Sequence, residues 1–266
     1  MIRYGFQTYT WQMSYDKYAG RIEHIAEIAS RGGIEALEAE ICMLGGYFGE
    51  PERLCGVLSE KNMELGALCL VCDWIEPKET DGERALADKA MAYLKHFPKT
   101  LLALGQMPQP DRSELAARQK NALACINGIA KRAYDMGIAS AFHPNSPAGS
   151  VFRTYGDYQV LLGEIDRRYL GFAPDSGHII KGGMDVYEIF SANAPIIKHV
   201  HFKDIDEGGT WRVMGEGMTD FARIAGILNA VGFDGYIMVE DESPEAELDP
   251  DAVALRNAGY IAKFLR

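Results

Sequence analysis

The chain has 266 residues, 47% of them hydrophobic, and a formal net charge of -11 at pH 7. That length and composition suit two small domains or one large α/β barrel, and we expect one domain over residues 1–266. The acidic balance, with no cluster of Lys and Arg, argues against a nucleic-acid groove or an anionic membrane surface as partner and leaves small polar ligands open.

The N-terminus enters a strand-like segment at 2–8 with no basic and apolar leader before it. No run of about eighteen apolar residues occurs anywhere, so a cytoplasmic location is expected. An amphipathic helix follows at 15–31, where Ile22, Ile25, Ala26 and Ile28 make one apolar face and Gly32-Gly33 stop it. The chain then alternates: strand 34–40, helix 51–62, strand 65–71, helix 81–96, strand 100–104, helix 112–136, strand 138–142 and helix 155–166. Strand 170–174, helix 184–193, strand 197–202, helix 219–231, strand 235–240 and helix 250–265 complete the series. Strands that alternate with helices pair in parallel through right-handed crossovers, and eight such units in this length predict a (β/α)8 TIM barrel. Gly33, Gly137 and Gly232 each stand between a helix end and a strand, where a left-handed cap is needed. The Pro- and Gly-rich pieces after the strands, 106–110, 143–149 and 206–217, fall on the face where barrels build sites.

Five scattered cysteines give no disulfide framework. Cys69 and Cys72 form a CxxC within an apolar strand, on opposite faces and without a second pair, so neither zinc nor redox use is expected of them.

Side chains along a strand switch faces with period two, so residues of one phase point together. On strand five Ala139, Ala141 and His143 share a phase; on strand six Gly171, Ala173 and Asp175; on strand seven His199 and His201; on strand eight Tyr236, Met238 and Glu240. Each series ends on a residue that can bind a metal: His143, Asp175, His201 and Glu240. Two imidazoles and two carboxylates aimed at one spot suit Mn, Co, Zn, Fe or Ni better than calcium. His199 lies one step deeper in the barrel and is read as support for a ligand; Lys203 continues the same phase towards the rim.

The stretches Asp175-Ser176-Gly177-His178, His199 to Asp204, Arg212 to Gly217 with Asp220-Phe221, Gly232 to Tyr236 and Val239-Glu240 resemble the xylose isomerase-like TIM-barrel superfamily. Its sugar isomerase and epimerase branch includes ketose 3-epimerases, inosose isomerases and inosose dehydratases. The resemblance implies a divalent metal, manganese favoured, held at the ends of strands five to eight, and Asp175, His201 and Glu240 match three of the epimerase ligands. The fourth differs: the epimerase Glu-Pro is His143-Pro144 here. The run from His143-Pro144-Asn145 to Arg153 is closer to the dehydratases' His-Pro-His stretch, with Arg153 about where their glutamate falls. Arg212 falls near an arginine that the epimerases use for the sugar.

A divalent ion on a keto-sugar stabilises the enediolate left when the carbon beside the carbonyl loses its proton. Glu240 is the expected base, and His143 the other candidate if it is not a ligand. With one glutamate gone, elimination is favoured over a symmetric two-base epimerisation, and Lys203 or His178 is expected to supply the acid. Arg153, Arg212, His178, Asn145 and Trp11 are expected to bind substrate; Gln7, Glu38, Glu40, Asp73 and Trp74 fall near strand ends and are candidates for shaping the pocket. The sequence therefore predicts a metal-dependent lyase or isomerase acting on a keto-sugar, an inosose or a 3-keto-glycoside. A ketose or inosose epimerase with the same site is the near alternative. A non-catalytic sugar-binding barrel, or a subunit of a larger enzyme or homo-oligomer, is the alternative of another class.

Overall fold

A computed structural model describes residues 2–266. Eight parallel strands form one sheet: β1 (Arg3–Gln7), β2 (Ala36–Glu40), β3 (Glu64–Cys72), β4 (Leu101–Gln106), β5 (Ser140–His143), β6 (Leu170–Phe172), β7 (Val200–Phe202) and, after a short hairpin of β8 (Asp204–Ile205) and β9 (Trp211–Arg212), β10 (Tyr236–Val239). The order is β6-β5-β4-β3-β2-β1-β10-β7. Bridges from Phe172 to Ile197 and from Asp175 to His201 join the two outer strands and close the barrel. The second bridge sets Asp175 beside His201.

The predicted helix face of Ile22, Ile25, Ala26 and Ile28 is buried against the sheet, and Gly33, Gly137 and Gly232 take the expected positive φ after their helices. The first helix departs from the expected 15–31. It is two helices, Tyr15–Tyr18 and Ile22–Arg31, because at the break the backbone turns through Gly20, with φ of 74°, to donate to the Met43 carbonyl at 2.9 Å. Short elements interrupt several segments read as loops, among them the β8–β9 hairpin and the helix Ser176–Lys181, which starts just after Asp175 beyond β6. Helices run antiparallel to their strands around the outside, and none among the described residues is long and apolar enough to cross a membrane.

The barrel interior is filled mainly by small side chains. Ala67, Cys69, Leu101, Ala103, Ala141 and Ala173 pack in one cluster, and Ala36, Tyr236 and Met238 plug the end nearer the strand N-termini. Met238 needs the absence of a side chain at Gly5, where a Cβ would lie 2.2 Å from its sulfur. Polar residues occupy the other end of the same inward phase, which leaves the functional groups over an apolar floor.

Candidate metal centre and active-site cavity

The inward residues at the C-terminal ends of β5, β6, β7 and β10 converge. His143, Asp175, His201 and Glu240 are all buried, and each offers one ligand atom within 4.8 Å of the others. The backbone reasons are local. His143 ends β5, and Glu240 follows β10 with its N–H on the Phe202 carbonyl at 3.0 Å. Asp175 caps the helix Ser176–Lys181, its Oδ1 accepting the His178 N–H at 2.7 Å, which turns Oδ2 towards the cluster.

Two observations test this donor set as a metal site. His143 Nδ1 and Asp175 Oδ2 are buried without any hydrogen-bond partner, a costly state for polar atoms unless an ion or ligand meets them. Their titration agrees: burial, with the His201 charge, brings His143 down to about 3, so its lone pair is free. Burial also lifts Asp175 to about 6 against the pull of Lys203. The residues fit a divalent cation, and a divalent-metal-binding cluster is therefore present in the barrel.

His201 is held from both sides. Its Nδ1 lies 2.9 Å from Glu240 Oε2 and its Nε2 2.9 Å from Glu38 Oε2. Burial disfavours its charge, but Glu38 and Glu240 outweigh it and raise His201 to about 10. An ion bound through Nδ1 would displace that proton, while Glu38 would keep the far nitrogen protonated and the ring oriented. The same Glu38 oxygen lies 2.5 Å from His199 Nε2, so His199 supports the centre through Glu38. Glu38 is fully buried; desolvation acts to raise its carboxyl, yet the two histidines draw it well below the usual range.

Above the cluster opens a cavity of about 440 Å³, lined by His143 and Glu240 at its floor and by Gln7, Glu40, Asn145 and His178 among its walls. Asn145 donates to the Gln106 carbonyl at 2.9 Å and His178 Nδ1 sits 2.8 Å from Ser146 Oγ, and both residues line the cavity. Four expectations are corrected. Trp11 turns into the core, with Nε1 on Asp251 Oδ1 at 2.7 Å and its ring against Phe6, and does not reach the cavity. Arg212 lies half exposed on β9, with Nε on Asp206 Oδ2 at 2.8 Å, because an acid six residues away in the hairpin takes its guanidinium. Arg153 donates through Nε to the Ser146 carbonyl at 2.8 Å and braces the loop from behind.

Lys203 is the fourth. Its Nζ donates to Glu240 Oε1 at 2.6 Å, to Glu242 Oε1, and to His178 Nε2 at 3.1 Å. All three ammonium protons are thereby engaged. The lysine lies fully buried behind the wall, where Glu240 and Glu242 overcome the cost of burial and raise it well above its ordinary value. Glu242, Tyr9, Gln7, Cys69 and Trp211 also line the cavity. Of these the sequence pointed only to Gln7; Glu242 continues the phase of Glu240, a signal that was there to use.

A family model described as the xylose isomerase-like TIM barrel matches residues 25–264. An inosose dehydratase of Lacticaseibacillus casei is 29% identical over 154 residues, 51% of this chain and 51% of that protein. The chain spans about half the length of the curated relatives it matches. Among solved structures, an IOLI protein with a bound zinc atom superposes with a TM-score of 0.79 at 15% identity, covering 98% of this chain and 96% of that one. The probable 3-DHS dehydratase of Bacillus anthracis gives 0.75 at 16% identity, covering 98% and 99%. At these identities the structural likeness speaks to the fold.

Proposed function

The chain belongs to the xylose isomerase-like TIM-barrel family, and from that premise we propose that its barrel-end cavity is the active site of a metal-dependent lyase or isomerase. Its substrate would be a keto-sugar, an inosose or a 3-keto-glycoside. The observation that carries this reading is the floor of the cavity, where buried, unpartnered donor atoms of His143 and Asp175 meet His201 and Glu240 beneath a space of sugar size. His143, Asp175, His201 and Glu240 are the proposed ligands. Their two carboxylates and two imidazoles suit a cation of intermediate hardness, and manganese is favoured.

When bound, the ion would supply Lewis-acid polarisation of the substrate carbonyl and its neighbouring hydroxyl. Of the two ligand carboxylates only Glu240 lines the cavity, and it takes the proton from the carbon between those groups. Lys203, at 2.6 Å, holds the Glu240 carboxylate in place and compensates its charge. Asn145, whose Nδ2 keeps a second proton beyond the one on the Gln106 carbonyl, orients a hydroxyl group at the wall, and His178 shapes that wall with both ring nitrogens engaged. Inosose dehydratases are among the curated relatives, which supports loss of water as the outcome; an epimerase or isomerase would share the proton abstraction and differ in where the proton returns.

Deuterium exchange tests the common step. Metal-loaded protein in heavy water should place deuterium beside the carbonyl of at least one member of a panel of ketoses, inososes and 3-keto-glucosides. No exchange with any substrate and any of Mn, Co, Zn, Fe or Ni would sink the reading. The ligand assignment has its own readout: Asp175→Ala and His201→Ala should each lose bound metal by elemental analysis.

A further inference from the structure

A dehydration needs an acid for the departing hydroxyl, and the floor of the cavity does not offer a free one. Lys203 has no proton left to give, since its three donors serve Glu240, Glu242 and His178. His178 accepts that lysine at Nε2, so its own N–H is on Nδ1 and directed to Ser146. Neither ring nitrogen faces a ligand with a proton.

The same cavity is lined by Glu40, at the end of β2, two strands along the barrel from β10 and 8% exposed. Its surroundings are built. Gln7 donates from Nε2 to Glu40 Oε1 at 3.0 Å, and the Gln7 amide cannot turn over because its Oε1 accepts the Tyr9 N–H. The Cys69 side chain lines the same cavity. The Glu40 N–H is fixed on Thr8 Oγ1 at 2.9 Å. No Lys, Arg or His among the described residues forms an ion pair with it; the titratable groups around it are Cys69, Cys42, Tyr9, Glu38 and Glu240. A buried carboxyl so placed keeps its proton readily: desolvation, with the charges of Glu38 and Glu240, brings it up to about 7.

We infer that Glu40 is the general acid of this site, protonating a hydroxyl that leaves from the carbon next to the one Glu240 deprotonates. The inference rests on the proton-abstraction reading above and narrows the substrate to a β-hydroxy ketone. The step balances without a co-reactant. The C–H pair becomes the new C=C bond, the C–O pair leaves with the oxygen, and the Glu40 proton completes a water molecule. Glu240 is left protonated and Glu40 ionised, and exchange with solvent restores both.

The two proton transfers can be measured together, by NMR in heavy water, as deuterium incorporation into remaining substrate and as dehydrated product. Glu40→Gln keeps the size and the hydrogen bond from Gln7 but has no acidic proton. Its elimination rate should fall by roughly 10²- to 10⁴-fold, the range for a lost general acid, with a much smaller fall in exchange, so that the ratio of exchange to elimination rises at least about 100-fold. Glu40→Asp should recover part of the elimination. Metal content equal to that of the unaltered protein shows that the barrel is intact in each variant, and a Glu40→Gln protein that fails to fold leaves Glu40→Asp to be judged by the same ratio. Elimination by Glu40→Gln at the unaltered rate, or a protein that exchanges deuterium but never loses water, overturns the role of Glu40 while proton abstraction stands. Absence of all exchange removes both.

Discussion

At Glu38 one carboxylate oxygen lies within hydrogen-bond distance of two imidazoles, 2.5 Å from His199 and 2.9 Å from His201. Its other oxygen is buried with no partner. This residue acts on a metal through His201, and partners of that kind typically contribute 10- to 100-fold in affinity. Glu38→Gln should therefore weaken divalent-ion binding by about that factor in a chelator competition, with the barrel still folded. Affinity equal to that of the unaltered protein would mean that Glu38 only fills space. The residue shows where sequence reading stops. His143, Asp175 and Glu240 were legible because each ends an inward series on its own strand, a signal contained in a few consecutive residues. Glu38 looked like one of several strand-end acids, since its pairing crosses the barrel to histidines more than 160 positions away. Arg212 misled for the converse reason: its partner Asp206 was close in sequence, and the hairpin that joins them was not foreseen.

The helix Tyr155–Glu164 begins on a polar knot that also fixes the cavity wall. Asp157 Oδ2 accepts the Thr154 N–H and Oγ1, both at 2.8 Å, the Arg153 N–H at 3.1 Å and a proton of Arg112, while Oδ1 accepts from Gln119 Nε2 at 3.0 Å. Gln119 also holds the Val151 carbonyl at 2.8 Å, so the loop that carries Asn145 is tied to this helix start. Partial burial works against the Asp157 carboxylate, but the Thr154 and Arg153 donors and the Arg112 charge prevail and draw it below its ordinary 3.8. A depressed carboxylate stabilises the fold fully above its unfolded value, and that contribution is lost as pH falls through the lower folded value. Asp157→Asn should accordingly cost about 2 kcal/mol at pH 7 in denaturant unfolding, a cost that shrinks below about pH 4. A difference constant down to pH 3 would assign the loss to packing. Elements of this length were readable from apolar spacing and their glycine stops. The six-residue helix Ser176–Lys181 and the two-residue strands β8 and β9 were not. Elements so short have no period, and they depend on single side chains: Asp175 as a cap, and Asp204, whose carboxylate gathers the N–H groups of Gly215, Gly217 and Thr219.

Closure of the sheet concentrates charge that the sequence spreads along its length. Glu38, Glu40, Asp175, Glu240 and Glu242 come from three strand ends and a loop to one end of the barrel, where Lys203 and His201 pair with all of them but Glu40. Like charges held together in a medium of low polarity oppose folding, and the titration of the groups shifts in answer: burial and neighbouring carboxylates lift Asp175 to about 6 and Glu40 to about 7, and the carboxylates raise His201 to about 10. A divalent cation would do the same work with two positive charges at the atoms left without partners, so metal binding and stability are linked. Binding to the folded chain alone adds RT ln(1 + [M]/Kd), about 2.7 kcal/mol at a hundredfold excess over Kd. For a chain of this size that corresponds to a rise of roughly 5–10 °C in Tm. Chelator-stripped protein should melt lower by that amount, and Mn should restore it in a concentration-dependent way, whereas Asp175→Ala should melt at one temperature with or without metal. Magnesium or calcium in place of Mn should shift Tm less, because two of the four donors are imidazoles. Equal shifts with calcium and Mn would place the bound ion on surface carboxylates, which an acidic chain has in excess, rather than on the buried histidine and carboxylate set.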